Sequence, residues 1–267
     1  MKERAHSSFS VEIIYSLASG LVIASVIPLY TFFILRRKMS ISDSAAVAAA
    51  YGSVSAVTFV AAASFLESQK MQFGGHMVAV MALMESPAIV MGVILMMKYG
   101  KTESAGKDIK SIVKHSFTNG SVLMILGSLI IGLIADTKQA EGIKPFTTDI
   151  FKGFLAIFLL EMGMVTTKRF SAFRKYGLFA ILFAMLIPAV NGSAVAAISG
   201  LFLSDAGNRF ILAVLAASAS YIAVPAAMRI AAPEADPGLY IPMALGVTFP
   251  FNITAGMPLY YFIIKSL

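Results

Sequence analysis

Two apolar stretches of the chain carry small polar residues at their centres. "YGSVSAVTF" (51–59) and "ASASYIAVPAAMR" (217–229) place hydroxyls, a glycine or a proline in runs that are otherwise rich in Ala, Val and Ile. Glycine loosens a helix and proline removes a backbone donor, so both stretches are predicted to be discontinuous helices. A broken helix offers unpaired amides, unpaired carbonyls and half-helix dipoles, which can hold a small anion and a cation.

Two further segments, "ALMESPAIV" (82–90) and "GVTFPFNIT" (246–254), place polar side chains deep in apolar runs. Glu85 in "ALMESPAIV" lies ten residues into its run, where a carboxylate is costly and therefore a candidate for coordinating Na⁺ or exchanging a proton. A structural pair with a buried donor is the alternative role. The candidate binding residues from sequence are Gly52, Ser53, Ser55, Thr58, Glu85, Ser218, Ser220, Tyr221, Thr248 and Asn252, and the candidate hinge or break residues are Pro87, Pro225 and Pro250. Small residues at such positions also serve close helix packing, which is the alternative for both stretches.

The composition requires a membrane around these residues. The chain is 58% hydrophobic and 13% charged, whereas a soluble domain is about a quarter charged. Absence of cysteine excludes disulfides and thiolate nucleophiles. The three histidines do not cluster, and "GSVS" with His76 as base does not form an oriented protease dyad. A net charge of +7 is interpreted as loop charge facing the bilayer surface, without nucleic acid as a partner.

The predicted fold is an all-α polytopic membrane protein of about eight transmembrane helices. The spans are predicted at about 11–35, 44–65, 75–97, 118–136, 150–166, 176–202, 209–231 and 239–264. Runs of about twenty apolar residues match a hydrocarbon core of roughly 30 Å. No polar region is large enough to fold alone, so residues 1–267 are predicted to be one membrane transporter domain.

An incomplete inverted repeat is predicted within that domain. "AVAAAYGSVSAV" (46–57) matches "AVLAASASYIAV" (213–224) without a gap, and Glu67 and Glu234 fall at the same offset. Repeat one covers 11–97, the linker 98–117 and repeat two 118–267, which is three spans against five. The fourth and fifth spans have no partners, so two helices are expected to be lost or to precede Met1. Inverted repeats are typical of secondary transporters.

Loop charges predict the orientation of the chain. Thirteen lysines and arginines lie on the side of the lysine-rich 98–117 linker and eight on the other. The linker is therefore predicted to be cytoplasmic, with both termini outside, in a bacterial plasma membrane.

The chain resembles the sodium-dependent bicarbonate permease family. "GSVSAVTFVAAASFLES", "AASASYIAVPAAMRIAAPEADPGLYI", "ALMESPAIV" and "MPLYYFII" carry the likeness, which covers nearly the whole chain. The resemblance is to a divergent member without the usual first two helices. It implies a core and a gate domain with elevator-like motion, a homotrimer, and regulation by a PII-like protein at the cytoplasmic face. It also implies bicarbonate and Na⁺ between the two broken helices, and adds Ala223 to the binding residues.

The function expected from this combination is secondary transport of a small anion, most simply Na⁺-coupled bicarbonate uptake. Na⁺ is the coupling ion, and no other metal, cofactor or catalytic residue is expected. Two alternatives stay open. One is transport of another monocarboxylate or cation/proton exchange through Glu85, and the other is a non-transporting truncated subunit that binds a regulatory partner through residues 98–117.

Overall fold

The computed structural model describes residues 2–100 and 177–267, together with parts of 124–167, and every regular element in these residues is helical. Its helices are α1 Lys2–Leu35, α2 Ile41–Gly52, α3 Ala56–Ser68, α4 His76–Tyr99, α5 Thr137–Lys144, α6 Gly177–Ile198, α7 Ala206–Ala217, α8 Ala223–Ala231 and α9 Pro237–Ser266. A π-helical segment, Pro145–Ile150, follows α5, and a 3₁₀ turn, Ser199–Leu201, follows α6.

Five helical spans in the described residues are long and apolar enough to cross a membrane. They are Val11–Leu35, Ile41–Ser68, His76–Tyr99, Gly177–Leu201 and Pro237–Ser266, where Ile41–Ser68 combines α2 and α3. The predicted all-α polytopic fold is therefore confirmed. Most of the predicted fourth and fifth spans, and the predicted linker beyond Gly100, lie outside the described residues.

Six of the helices in the described part of the chain pack as two groups of three. In the first group α1 packs against α2 and α4, which also pack against each other. In the second group α6 packs against α7 and α9 in the same way. The second halves of the broken helices cross between the groups, because α3 packs on α7 while α8 packs on α2 and α4. This arrangement places the two helix breaks at the junction of the two groups.

Hydroxyl and amide contacts tie the apolar helices together. Tyr30 on α1 donates a hydrogen bond to Asn191 on α6. The Tyr260 hydroxyl on α9 donates to the Pro188 carbonyl of α6 at 3.0 Å. Because lipid tails provide no hydrophobic drive between helices, such polar contacts and close packing give the bundle its specificity. Asn191, which the sequence places at membrane depth, thus has a structural contact.

Prolines distort α9 without ending it. Pro242–Thr248 and Asn252–Gly256 are π-helical, and the short α-helical turn Phe249–Phe251 between them contains Pro250. Proline cannot donate to the preceding turn and crowds its carbonyl, which favours such local widening. The predicted hinge at Pro250 therefore coincides with irregular helix. Pro87, by contrast, does not break its helix, because α4 continues from His76 to Tyr99.

Candidate functional site

Both helices that the sequence predicts to be discontinuous are broken in the structure. The first break, residues 53–55, separates α2 from α3, and the second break, residues 218–222, separates α7 from α8. Ala56 begins α3 and Ala223 begins α8, which is the pair of positions that the internal repeat aligns. The predicted pair of broken helices is confirmed.

The residues at each break explain where the helices stop and restart. Ser53 and Ser218 are extended C-cap residues of α2 and α7. Ser55 is the N-cap of α3, and its hydroxyl accepts a hydrogen bond from the Thr58 amide at 3.2 Å. An N-cap hydroxyl satisfies one of the helix amides that lack an intrahelical partner. Thr58 therefore serves the start of α3 through its backbone.

Pro225 has a different position from the predicted one. The sequence placed it as the breaking residue in the middle of a helix, but the break lies upstream, at 218–222. Pro225 is the third residue of α8. In a first turn the missing proline amide has no partner to lose, so the residue starts the helix instead of interrupting it.

The two broken helices run antiparallel to each other. At the start of α2, Asp43 Oδ1 accepts a 2.9 Å hydrogen bond from the amide of Asp236, which follows α8. At the start of α7, Asn208 Oδ1 accepts a 2.7 Å hydrogen bond from the amide of Gly74, which follows α3. Each broken helix thus begins beside the end of the other. This is the relation expected of an inverted repeat.

Direct hydrogen bonds join the two breaks where the helices cross. The Ser220 amide donates to the Ala50 carbonyl at 2.8 Å, and the Ser55 amide donates to Ser218 Oγ at 3.2 Å. Ser218 Oγ in turn donates to the Leu215 carbonyl at 2.8 Å. These bonds satisfy part of the backbone that each break frees, as required at membrane depth.

A central cavity of about 50 Å³ lies between the breaks. It is lined by Val54, Ser55, Ala56, Glu85, Ser220, Tyr221 and Ile222. One water needs roughly 10–15 Å³ of accessible cavity volume, so the cavity has room for a small polyatomic ion or a few waters. Four of the candidate residues from the sequence, Ser55, Glu85, Ser220 and Tyr221, therefore share one space.

Glu85 is the acidic residue of the central cavity. It is 6% exposed, and its Oε2 has no hydrogen-bond partner within the described residues. Ser53 Oγ, buried at the first break, is in the same condition. Buried polar atoms normally have a partner, so a buried atom without one at a site is a candidate contact for an ion or a water. These two oxygens are therefore candidate ligand contacts at the first break and in the central cavity.

The helix termini give the central cavity its polarity. Ala56 and Ile222, at the starts of α3 and α8, line it, so the amide ends of two half-helices meet there. Each helix N-terminus carries about half a positive charge. The arrangement favours an anion at the amide ends and a cation at the Glu85 carboxylate.

Other candidate residues from the sequence lie outside the central cavity lining. Gly52 packs against α1, where a Cβ would overlap the Pro28 ring. Thr248 Oγ1 donates to the Ala184 carbonyl and contacts the Tyr51 hydroxyl, each at 2.7 Å. Asn252 Nδ2 donates to the Ala217 carbonyl at 2.7 Å, which caps the end of α7. These residues position the helices that carry the breaks.

The sequence did not indicate several residues that position the site. The apolar lining residues Val54 and Ile222 resemble any other residue of an apolar span. Asp43 and Asn208 act through contacts with loops that are distant in sequence. Each is the third residue of its helix, after the N-cap Ser40 for Asp43 and the N-cap Asp205 for Asn208. The N-cap residues could have predicted these helix starts, and so the positions of Asp43 and Asn208 in the first turns.

Comparison with known families decides the class of protein. A sequence model of the Na⁺-dependent bicarbonate transporter superfamily matches residues 2–265. The chain belongs to the Na⁺-dependent bicarbonate transporter superfamily. A direct sequence comparison with curated proteins gives no match. Membership makes the chain an integral membrane transporter and not an enzyme, and it agrees with Na⁺ dependence and an anion substrate.

Proposed function

We propose that this chain imports bicarbonate together with Na⁺ through the central cavity. The observation that carries the proposal is the meeting of two half-helix amide ends beside a buried carboxylate in one cavity. Superfamily membership supports the same substrate and the same coupling ion. The cavity volume of about 50 Å³ suits a small ion better than a larger carboxylate.

Bicarbonate is placed at the amide ends of α3 and α8. Helix N-termini attract anions through unpaired N–H groups and the helix dipole. Ser220 and Tyr221 line the same cavity and add hydroxyl donors. The Val54 and Ile222 side chains close the lining with apolar surface, which strengthens these interactions by limiting water.

Na⁺ is placed at the Glu85 carboxylate. Helix breaks coordinate Na⁺ through unwound carbonyls and half-helix carboxyl ends, and Gly52 and Ala217 end α2 and α7 beside the breaks. Ser53 Oγ is a further candidate oxygen ligand because it is buried without a partner in the described residues. A bound Na⁺ neutralises Glu85, so the anion enters a cavity without an uncompensated negative charge.

Orientation and assembly complete the proposal. Two faces are marked by contacts near opposite ends of α1. The Arg36 guanidinium carbon lies 4.9 Å from the Tyr99 ring centroid just past the end of α1, and Ser204 Oγ donates a 2.7 Å hydrogen bond to Glu12 Oε2 in its first half. We place the Arg36 face in the cytoplasm of a bacterium, following the basic residues, with both termini outside. Assembly as a homotrimer and binding of a PII-like regulator at the lysine-rich segment follow from the family resemblance.

Uptake by the reconstituted protein tests the proposal. Proteoliposomes containing the chain are expected to accumulate radiolabelled bicarbonate under an inward Na⁺ gradient and to accumulate less under an equal K⁺ gradient. Glu85→Gln is expected to abolish the Na⁺ stimulation, because it removes the charge that holds the cation. Glu67→Gln, which changes an exposed acid at the end of α3, is the matched control and should keep it. Absence of bicarbonate flux in either salt would contradict the proposal.

Cation exchange through Glu85 is the second candidate function. It is supported by the buried Glu85 oxygen that has no hydrogen-bond partner in the described residues. In that case Na⁺ would drive proton movement across the proteoliposome membrane in buffers free of bicarbonate. A pH-sensitive dye inside the vesicles distinguishes this exchange from bicarbonate uptake, which needs the anion.

A further inference from the structure

With Na⁺ at one of its oxygens, as proposed above, Glu85 is ionised and introduces an acceptor-only group into a cavity that otherwise suits an anion. An ionised carboxylate can accept hydrogen bonds but cannot donate them. Its side chain is 94% buried, it lines the central cavity together with Tyr221 and Ser220, and its Oε2 has no partner in the described residues. With Na⁺ at one carboxylate oxygen, a bound anion beside Glu85 would still meet the other oxygen, which can only accept a hydrogen bond. The substrate must supply the hydrogen atom that this contact lacks.

Bicarbonate can supply that hydrogen, because one of its oxygens is a hydroxyl. We propose that Glu85 determines substrate class: the central cavity accepts monovalent oxyanions that carry their own hydroxyl hydrogen and rejects anions of the same shape that lack it. The substrate hydroxyl donates to the Glu85 carboxylate. The remaining substrate oxygens accept from the Tyr221 hydroxyl and from the amide ends of α3 and α8. This inference rests on the proposed function and names the feature of the substrate that the same site recognises.

Nitrate is the informative comparison for bicarbonate. It has the same planar three-oxygen frame and the same single negative charge, but no hydrogen. A nitrate oxygen placed against Glu85 would leave two acceptors facing each other, and a buried unpaired polar contact of this kind is strongly unfavourable. Sites built to hydrogen-bond a substrate hydroxyl reject analogues without it by roughly 10⁴-fold, so nitrate should bind at least about 100-fold more weakly here.

Ligand-induced thermal stabilisation of the purified full chain tests the inference without requiring transport. Bicarbonate and nitrate are titrated as sodium salts at constant Na⁺ and ionic strength against wild type, Glu85→Gln and the exposed-acid control Glu67→Gln. Wild type and Glu67→Gln should be stabilised by bicarbonate and not by nitrate. Glu85→Gln, whose amide adds N–H donors, should gain nitrate stabilisation with at least a tenfold lower half-saturating concentration than wild type.

Several outcomes would overturn the inference. The inference is wrong if the half-saturating nitrate concentration of wild type lies within threefold of its half-saturating bicarbonate concentration. This comparison holds even if Glu85→Gln does not fold. A folded Glu85→Gln that still binds bicarbonate but gains no nitrate response would also overturn the inference. If wild type transports bicarbonate but nitrate competes equally, only this inference fails. If bicarbonate is neither bound nor transported, the proposed function fails as well.

Discussion

The two helix breaks align in sequence but differ in how each restarts its helix. In the first break, Ser55 caps α3 through a 3.2 Å bond from the Thr58 amide. In the second break the aligned residue is Ile222, which has no capping side chain, and Ser220 Oγ accepts from the Val224 amide only at 3.5 Å. The amide end of α8 is thus held less tightly by the protein than that of α3. A bound anion can take the place of the missing cap.

The aligned residues at the ends of α2 and α7 also differ in their contacts. Gly52 ends α2 against α1, whereas the aligned residue Ala219 lies in the second break and is 3% exposed. Ser53 at the first break keeps an unpartnered hydroxyl among the described residues, while its counterpart Ser220 lines the central cavity. Each break thus has one buried hydroxyl without a partner in the described residues, Ser53 in the first and Tyr221 in the second, and the two breaks differ instead in packing at Gly52 and in the cap that starts the next helix.

Gly52→Ala should have the largest effect on stability. The added Cβ would overlap the Pro28 ring and lie 3.1 Å from the Ala24 carbonyl oxygen, so α1 or α2 must shift. Overpacking of this kind costs about 1–3 kcal/mol, and it should lower the thermal unfolding midpoint in detergent. Ala219→Gly is the matched change at the second break and should cost about 1 kcal/mol or less. Equal midpoints for Gly52→Ala and wild type would contradict the packing difference.

Ser55→Ala and Ser220→Ala should separate a structural role from a binding role with smaller effects. Ser55→Ala removes an N-cap, which costs about 1 kcal/mol of stability.

Ser220→Ala removes a weak 3.5 Å contact and a cavity hydroxyl, so we expect little change in the unfolding midpoint. Its half-saturating bicarbonate concentration should rise by about three- to tenfold, the effect of one hydrogen bond. A large stability loss with unchanged uptake kinetics in Ser220→Ala would remove the distinction.

Sequence patterns predicted the membrane fold and the two breaks because both depend on local composition. Long apolar runs specify spanning helices, and a cluster of serines with glycine or proline weakens a helix without always breaking it, as the continuous helix around Pro87 shows. Ala56 and Ala223, which the internal repeat aligns, are the first residues of α3 and α8 in the structure. Local composition was sufficient to predict the spanning helices and the presence of the two breaks.

Other features depended on contacts that residue types do not reveal. Thr248 and Asn252 have the chemistry of ligands, yet both bond to backbone carbonyls of other helices. Pro225 breaks a helix only if it lies in the interior, and its place in the first turn of α8 depends on where the second break ends. Gly52 and Asp43 are explained by neighbours distant in sequence, which periodicity cannot supply.

Protection of the central cavity by its ligands tests the account most directly. The chain has no cysteine, so Ser55→Cys and Ser220→Cys each create one labelling site at a break, and Ser68→Cys gives an exposed control at the end of α3. At ten times the half-saturating concentration of bicarbonate with Na⁺, mass action predicts about tenfold slower thiol labelling at both breaks. Labelling of Ser68→Cys should be unchanged. Unprotected labelling at both breaks, in variants that still take up bicarbonate, would contradict a binding site between the broken helices.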